Sequence, residues 1–144
     1  MPDVHEESDE DLPVRRQMLY LPVSLWDFDL DALLDWGAGP SCLDISLWDQ
    51  AGRIPLKPCM EKFVTAGGGM LKVLGSVVAP LVINGSVVPK RLFVVHGLQE
   101  KCILGLDFMC SVQAVLDIVG ETISVRGQQC KLTVRSVEPN VCRI

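Results

Sequence analysis

The residues of this 144-residue chain best suited to chemistry are Asp35-Trp36-Gly37-Ala38, which follow directly on the apolar pair Leu33-Leu34. An aspartate that ends an apolar strand presents its carboxylate from a hydrophobic base. Gly37 lets the backbone turn and come close to a ligand. Burial raises a carboxyl pKa, and a second carboxylate nearby splits the two values so that one proton is shared. Such a pair can activate a water and polarise a peptide carbonyl. The chain has one Asp-x-Gly, whereas a pair needs two, and two-fold homodimerisation is the way a chain of this size supplies the second. Taken alone, an isolated Asp-x-Gly is more often an ordinary turn aspartate.

Other catalytic templates fail residue by residue. Gly67 and Gly69 are followed by Lys72 where a dinucleotide-binding G-x-G-x-x-G needs its last glycine, and no Gly-Lys dipeptide exists for a phosphate loop. Gly39-Pro40-Ser41 does not continue to a nucleophile elbow, because Leu43 occupies the second glycine position. A histidine-dependent nucleophile would have to use His96, since His5 lies in an acidic tail; the end of an apolar strand makes His96 a half-exposed structural histidine instead. The six cysteines (42, 59, 102, 110, 130 and 142) include no C-x-x-C, and the nearest pair is Cys102 and Cys110. Zinc sites want closer ligand pairs. The expectation is buried reduced thiols, no metal and no cofactor.

Charge and hydropathy set the partners. The body can bury a core, with 49% hydrophobic residues, 22% charged residues and a mean hydropathy of +0.31. Six of the 18 acids fall in residues 1–12, which hold no Lys or Arg, and the remaining 132 residues carry 12 acids and 13 bases. Such a run reads as a solvated, disordered tail. Without clustered Lys/Arg, nucleic acid is not an expected partner. Gly75, Ser76, Pro80 and Asn84 interrupt the most apolar region, so no membrane span is expected. The acidic start is unlike a secretory signal, and the expected compartment is the cytoplasm.

The elements that must position Asp35 read as short strands. Residues 18–25 and 30–35 form a pair around a turn at Trp26–Asp29, and a short apolar segment follows at 42–48. Residues 61–66 and 70–79 flank Gly67-Gly68-Gly69 as a hairpin, and 77–83 and 86–95 flank Asn84-Gly85 as another. One or two helical turns fit 106–113. Strands at 115–119, 121–125 and 129–135 complete an all-β domain, barrel-like or sandwich-like.

In that context the motif has company. Leu33-Leu34-Asp35-Trp36-Gly37-Ala38, with Ser41 six residues after the aspartate, resembles the active-site strand and loop of retroviral-type aspartic proteases (retropepsins). About 65 residues downstream, Cys102-Ile103-Leu104-Gly105-Leu106-Asp107-Phe108-Met109 is similar to that family's apolar-apolar-Gly segment leading into its single short helix. Lys57-Pro58-Cys59 and Thr65-Ala66-Gly67-Gly68-Gly69 through Lys72-Val73-Leu74-Gly75 resemble the flap region of LTR-retrotransposon proteases. The resemblance spans roughly residues 17–126.

What it implies is an all-β, retropepsin-like subunit, a small closed β-barrel with one short helix near its C-terminal part, working as a homodimer. Asp35 of each subunit would be catalytic, one carboxylate acting as base for water and the other as acid to the scissile carbonyl. Gly37 and Ala38 would line the floor, and Ala66, Gly67, Gly68 and Gly69 the flap over a peptide or polyprotein substrate. Trp36, Ser41, Ile103, Leu104 and Gly105 would support the motif. The domain would run over 15–136, between an acidic tail at 1–14 and a C-terminal tail at 137–144.

The sequence departs from the pattern at Trp36. The family has Thr or Ser there, whose hydroxyl bonds across the dimer axis; an indole donates only through its ring N–H. This leaves two readings besides an unrelated β-domain: an active dimeric endopeptidase, or a protease-like dimerisation or peptide-binding module without catalysis.

Overall fold

The computed structural model describes residues 16–65 and 67–137. The tail expected at 1–14 lies outside these residues, as does the one expected at 137–144 apart from Val137, which ends the last strand.

Eleven strands and two short helices are present among the described residues. The strands are β1 (Arg16–Leu25), β2 (Phe28–Leu34), β3 (Cys42–Asp44), β4 (Phe63–Val64), β5 (Met70–Ile83), β6 (Ser86–His96), β7 (Cys102–Leu104), β8 (Val115–Asp117), β9 (Thr122–Val125), β10 (Gln128–Lys131) and β11 (Thr133–Val137). The helices are α1 (Ile45–Gln50) and α2 (Leu106–Ser111). The main sheet runs β11-β1-β2-β7-β3-β6-β5-β4, and β5 also pairs with β1 through Ser24 and Val82. That last pairing returns the ring β1-β2-β7-β3-β6-β5 to its start, which is the small barrel expected. A second sheet, β10-β9-β8, covers one side.

Period-two burial builds the barrel. In β5, Val77, Ala79, Leu81 and Ile83 are buried and alternate with exposed Val78 and Pro80. Leu92 and Val94 of β6 face them in the same core. Asn84 and Gly85 both have positive φ (49° and 82°), the conformation a two-residue hairpin demands, and the register Ile83↔Ser86 follows from it. A bulge between Val73 and Gly75 keeps β5 continuous where two overlapping strands were expected.

Two expectations are corrected. The helix near the C-terminal part is not the only one: α1 begins within the segment expected as a simple apolar run at 42–48. Asp44 caps it, its Oδ2 accepting from the Ser46 amide at 3.1 Å, and Leu47 anchors it in the core. The strand expected at 129–135 is two, because buried Leu132 ends β10 with its amide donating to Glu121 O, and the chain then joins the main sheet beside β1. His96 lies on the solvent-exposed end of β6.

Candidate active site

Asp35 stands at the mouth of the barrel, one residue past β2. Parallel pairing of β2 with β7 sets Leu34 beside Leu104, and the Asp35 amide then donates to Leu104 O at 3.0 Å. Buried Leu33 and Leu34 anchor the strand, so a half-buried carboxylate is held on an apolar base. The loop turns at once. Ala38 N donates to Asp35 O at 3.2 Å, and Gly37 N donates to Asp35 Oδ1 at 2.9 Å, which fixes the rotation of the carboxylate. Trp36 projects outward and is 39% exposed.

The loop is clamped by the segment that follows β7. Leu106 N donates to Ala38 O at 2.8 Å and Asp107 N to Gly39 O at 3.0 Å. Gly105 lies beneath the carbonyls of the loop, and no side chain fits there. Ser41, fully buried, donates its hydroxyl to Asp107 Oδ1 at 2.6 Å and accepts from Gly105 N at 3.0 Å; its amide donates to Asp107 Oδ2 at 3.1 Å. The structure therefore brings Asp35, Gly37, Ser41, Leu104 and Gly105 together. Asp107 was not among the expected site residues, although an acid opening a short helix directly after Gly105 was the available signal.

A cleft of about 410 Å³ opens over this floor. Asp35, Gly37, Ala38, Gly39 and Pro40 form one side, Cys42, Leu98 and Ile103 a wall, and Phe63, Val64, Thr65 and Leu71 of the β4–β5 hairpin the other side. Phe63 pairs with Leu71 and packs edge-on against Phe93, ring centroids 5.0 Å apart. Gly67, Gly68 and Gly69 stand exposed at the hairpin's turn and do not line the cleft. Gly68 has φ +89°, and Thr65 closes the turn, its hydroxyl accepting from Gly69 N at 3.1 Å. Ala66 lies outside the described residues.

The lining is apolar apart from Asp35, Thr65 and the Cys42 thiol. Burial, and then the charge of Asp107, push Cys42 up to about 12, so it is a neutral thiol at any ordinary pH. Among the described residues, no cluster of His, Cys, Asp or Glu is placed to hold a metal ion. One chain thus offers one carboxylate in a mostly apolar cleft beneath a hairpin, an arrangement suited to an extended peptide backbone.

The fold belongs to a known class. It is similar to the retroviral protease-like domain of Ddi1 from Leishmania major, with a TM-score of 0.69 and 21% identity, covering 81% of this chain and 94% of that one. The sequence agrees with the fold, since residues 10–117 match the model of the aspartyl protease family. The chain belongs to the aspartyl protease family, and its fold is that of a retroviral protease-like domain. Among curated relatives it is 29% identical over 125 residues to the UBA domain-containing protein Mud1 of Schizosaccharomyces pombe. It is 27% identical over 113 residues to the DNA damage-inducible protein 1 of Neurospora crassa. These matches cover 86% and 78% of this chain but only 38% and 26% of the two relatives.

Proposed function

We propose that the chain is an aspartic endopeptidase that works as a homodimer, cleaving extended peptide segments of proteins with Asp35 from each of two copies. The observation that carries this reading is the half-buried Asp35 on the floor of an apolar cleft, in a chain that supplies one such carboxylate. Two like charges at close range share a proton, so the pair titrates as a unit. One member takes the proton of the attacking water while the other protonates the carbonyl oxygen. The β4–β5 hairpin acts as the flap that closes over the substrate and excludes water. Main-chain bonds to an extended peptide hold it, and Phe63, Leu71 and Ile103 offer apolar pockets for its side chains. Trp36 on the loop that carries Asp35 and Leu106 at the start of α2, 39% and 41% exposed, supply apolar surface for the second copy.

A second reading is favoured by Trp36 itself. Two indoles near a two-fold axis spread the loops that a pair of hydroxyls would brace, and a dimer so spread binds peptides without cutting them. Mixing separates the readings. If each site needs two copies of Asp35, an excess of Asp35→Asn chain added to wild type depletes active dimers and lowers cleavage. Cleavage unaffected by that excess contradicts a shared dyad, and sedimentation showing only the 15.8 kDa monomer at tens of micromolar contradicts the dimer.

A further inference from the structure

Lys90 belongs to β6, between exposed Pro89 and Arg91, yet its side chain is only 13% exposed. It turns inward and places Nζ 3.1 Å from Asp107 Oδ2. The same carboxylate accepts from Ser41 Oγ at 2.6 Å and Phe108 N at 2.6 Å through Oδ1, and from Ser41 N at 3.1 Å through Oδ2. An ammonium this far from water needs its partner, and a carboxylate with four donors is held in one orientation. In the other two ion pairs among the described residues the cation is far more exposed, 69% at Arg53 and 53% at Arg135, while the carboxylates of Asp107 (32%) and Asp31 (34%) are alike. Such exposed pairs contribute little.

We propose that Lys90 is a positioning residue for Asp35, acting through Asp107 and Ser41 on the loop that carries the carboxylate. The inference rests on the reading of Asp35 as catalytic. The path is short and continuous: Lys90 fixes Asp107, Asp107 fixes both polar groups of Ser41, and Ser41 fixes Gly105 beneath the loop carbonyls. Without the ammonium, Asp107 keeps only neutral donors and is free to turn toward water. Ser41 and the Ala38 and Gly39 carbonyls then lose their fixed seat. Misplacement of a catalytic group by about 1 Å costs on the order of a hundredfold in rate.

Two readouts on the full chain test this. In Lys90→Met, amide exchange at Ser41 and Leu106 should speed up at least about tenfold, while exchange in β9 and β10 stays as in wild type; Lys90→Arg, which keeps the charge, should restore protection. Peptide cleavage should lose about ten- to a hundredfold in kcat with KM within about twofold, again restored by Arg. Unchanged exchange at Ser41 and Leu106 overturns the proposal. So does uniform acceleration across all amides, which would mark a role in global stability alone, and so does failure of Arg to restore. Should Lys90→Met not fold, Ser41→Ala breaks the same path: local loss of protection at Gly105 and Leu106 supports the proposal, and its absence overturns it. A wild-type chain that cleaves nothing sinks the reading of Asp35, and the exchange data still decide the role of Lys90 in seating the loop.

Discussion

A Cβ placed on Gly105 would lie 2.6 Å from the carbonyl oxygen of Ala38, and 2.7 and 2.9 Å from those of Pro40 and Gly39. Real contacts do not come so close, so the loop carrying Asp35 and the segment entering α2 can meet this tightly only through a glycine. Gly105→Ala should therefore destabilise by about 1–3 kcal/mol, the usual cost of overpacking. Gly39→Ala, where a Cβ meets nothing within 4 Å, should be close to neutral. Denaturant midpoints of the two variants check this, and equal midpoints would contradict it.

Trp36→Thr places a hydroxyl on the exposed turn beside Asp35 and removes a large apolar side chain from it. Peptidase activity should rise, or emerge from a silent background, and the dimer should tighten. Asp35→Asn in the same background should abolish the gain, because an amide cannot serve as the base. Unchanged activity and unchanged dimer affinity would mean that position 36 does not meet its symmetry mate.

Much of this was legible in the residues because it is local. Asn84-Gly85 announced its hairpin, the run Val77 to Ile83 its buried face, and Asp35-Trp36-Gly37 its turn. Ile103-Leu104-Gly105 was legible as a motif, although the reason for Gly105 was not, since it lies in the carbonyls of residues 38 to 40. What was hidden depends on contacts far apart in sequence. Asp107 reaches Ser41 across 66 positions, and Lys90 joins them from a third element. The short α1 was missed because its cap, Asp44, sits inside an apolar stretch that reads equally well as a strand. The glycines at 67–69 stand at the turn of the hairpin whose Phe63, Val64, Thr65 and Leu71 line the cleft.

The buried thiols give the fold an alkaline limit. Burial pushes Cys42 and Cys102 each up to about 12, helped by Asp107 for Cys42 and by Cys42 for Cys102. An unfolded thiol titrates near about 8.5. Between those values the folded chain holds more protons than the unfolded one, so stability is full below the lower value and falls as pH rises through the window. The slope is about 1.4 kcal/mol per pH unit for each thiol. Denaturant midpoints should drop between about pH 8 and about pH 10.5, less steeply in Cys102→Ala. Iodoacetamide at about pH 8 should mark exposed Cys110 and spare Cys42 and Cys102 until the chain is unfolded. A flat stability profile, or early alkylation of Cys42, would contradict their burial.

The most direct test of the central claim is cleavage of a peptide library at acidic pH by the purified chain, beside its Asp35→Asn variant. Cuts within extended apolar segments that disappear in the variant are the predicted result. Identical cutting by both chains, or none by the wild type under conditions where it sediments as a dimer, would contradict catalysis by Asp35.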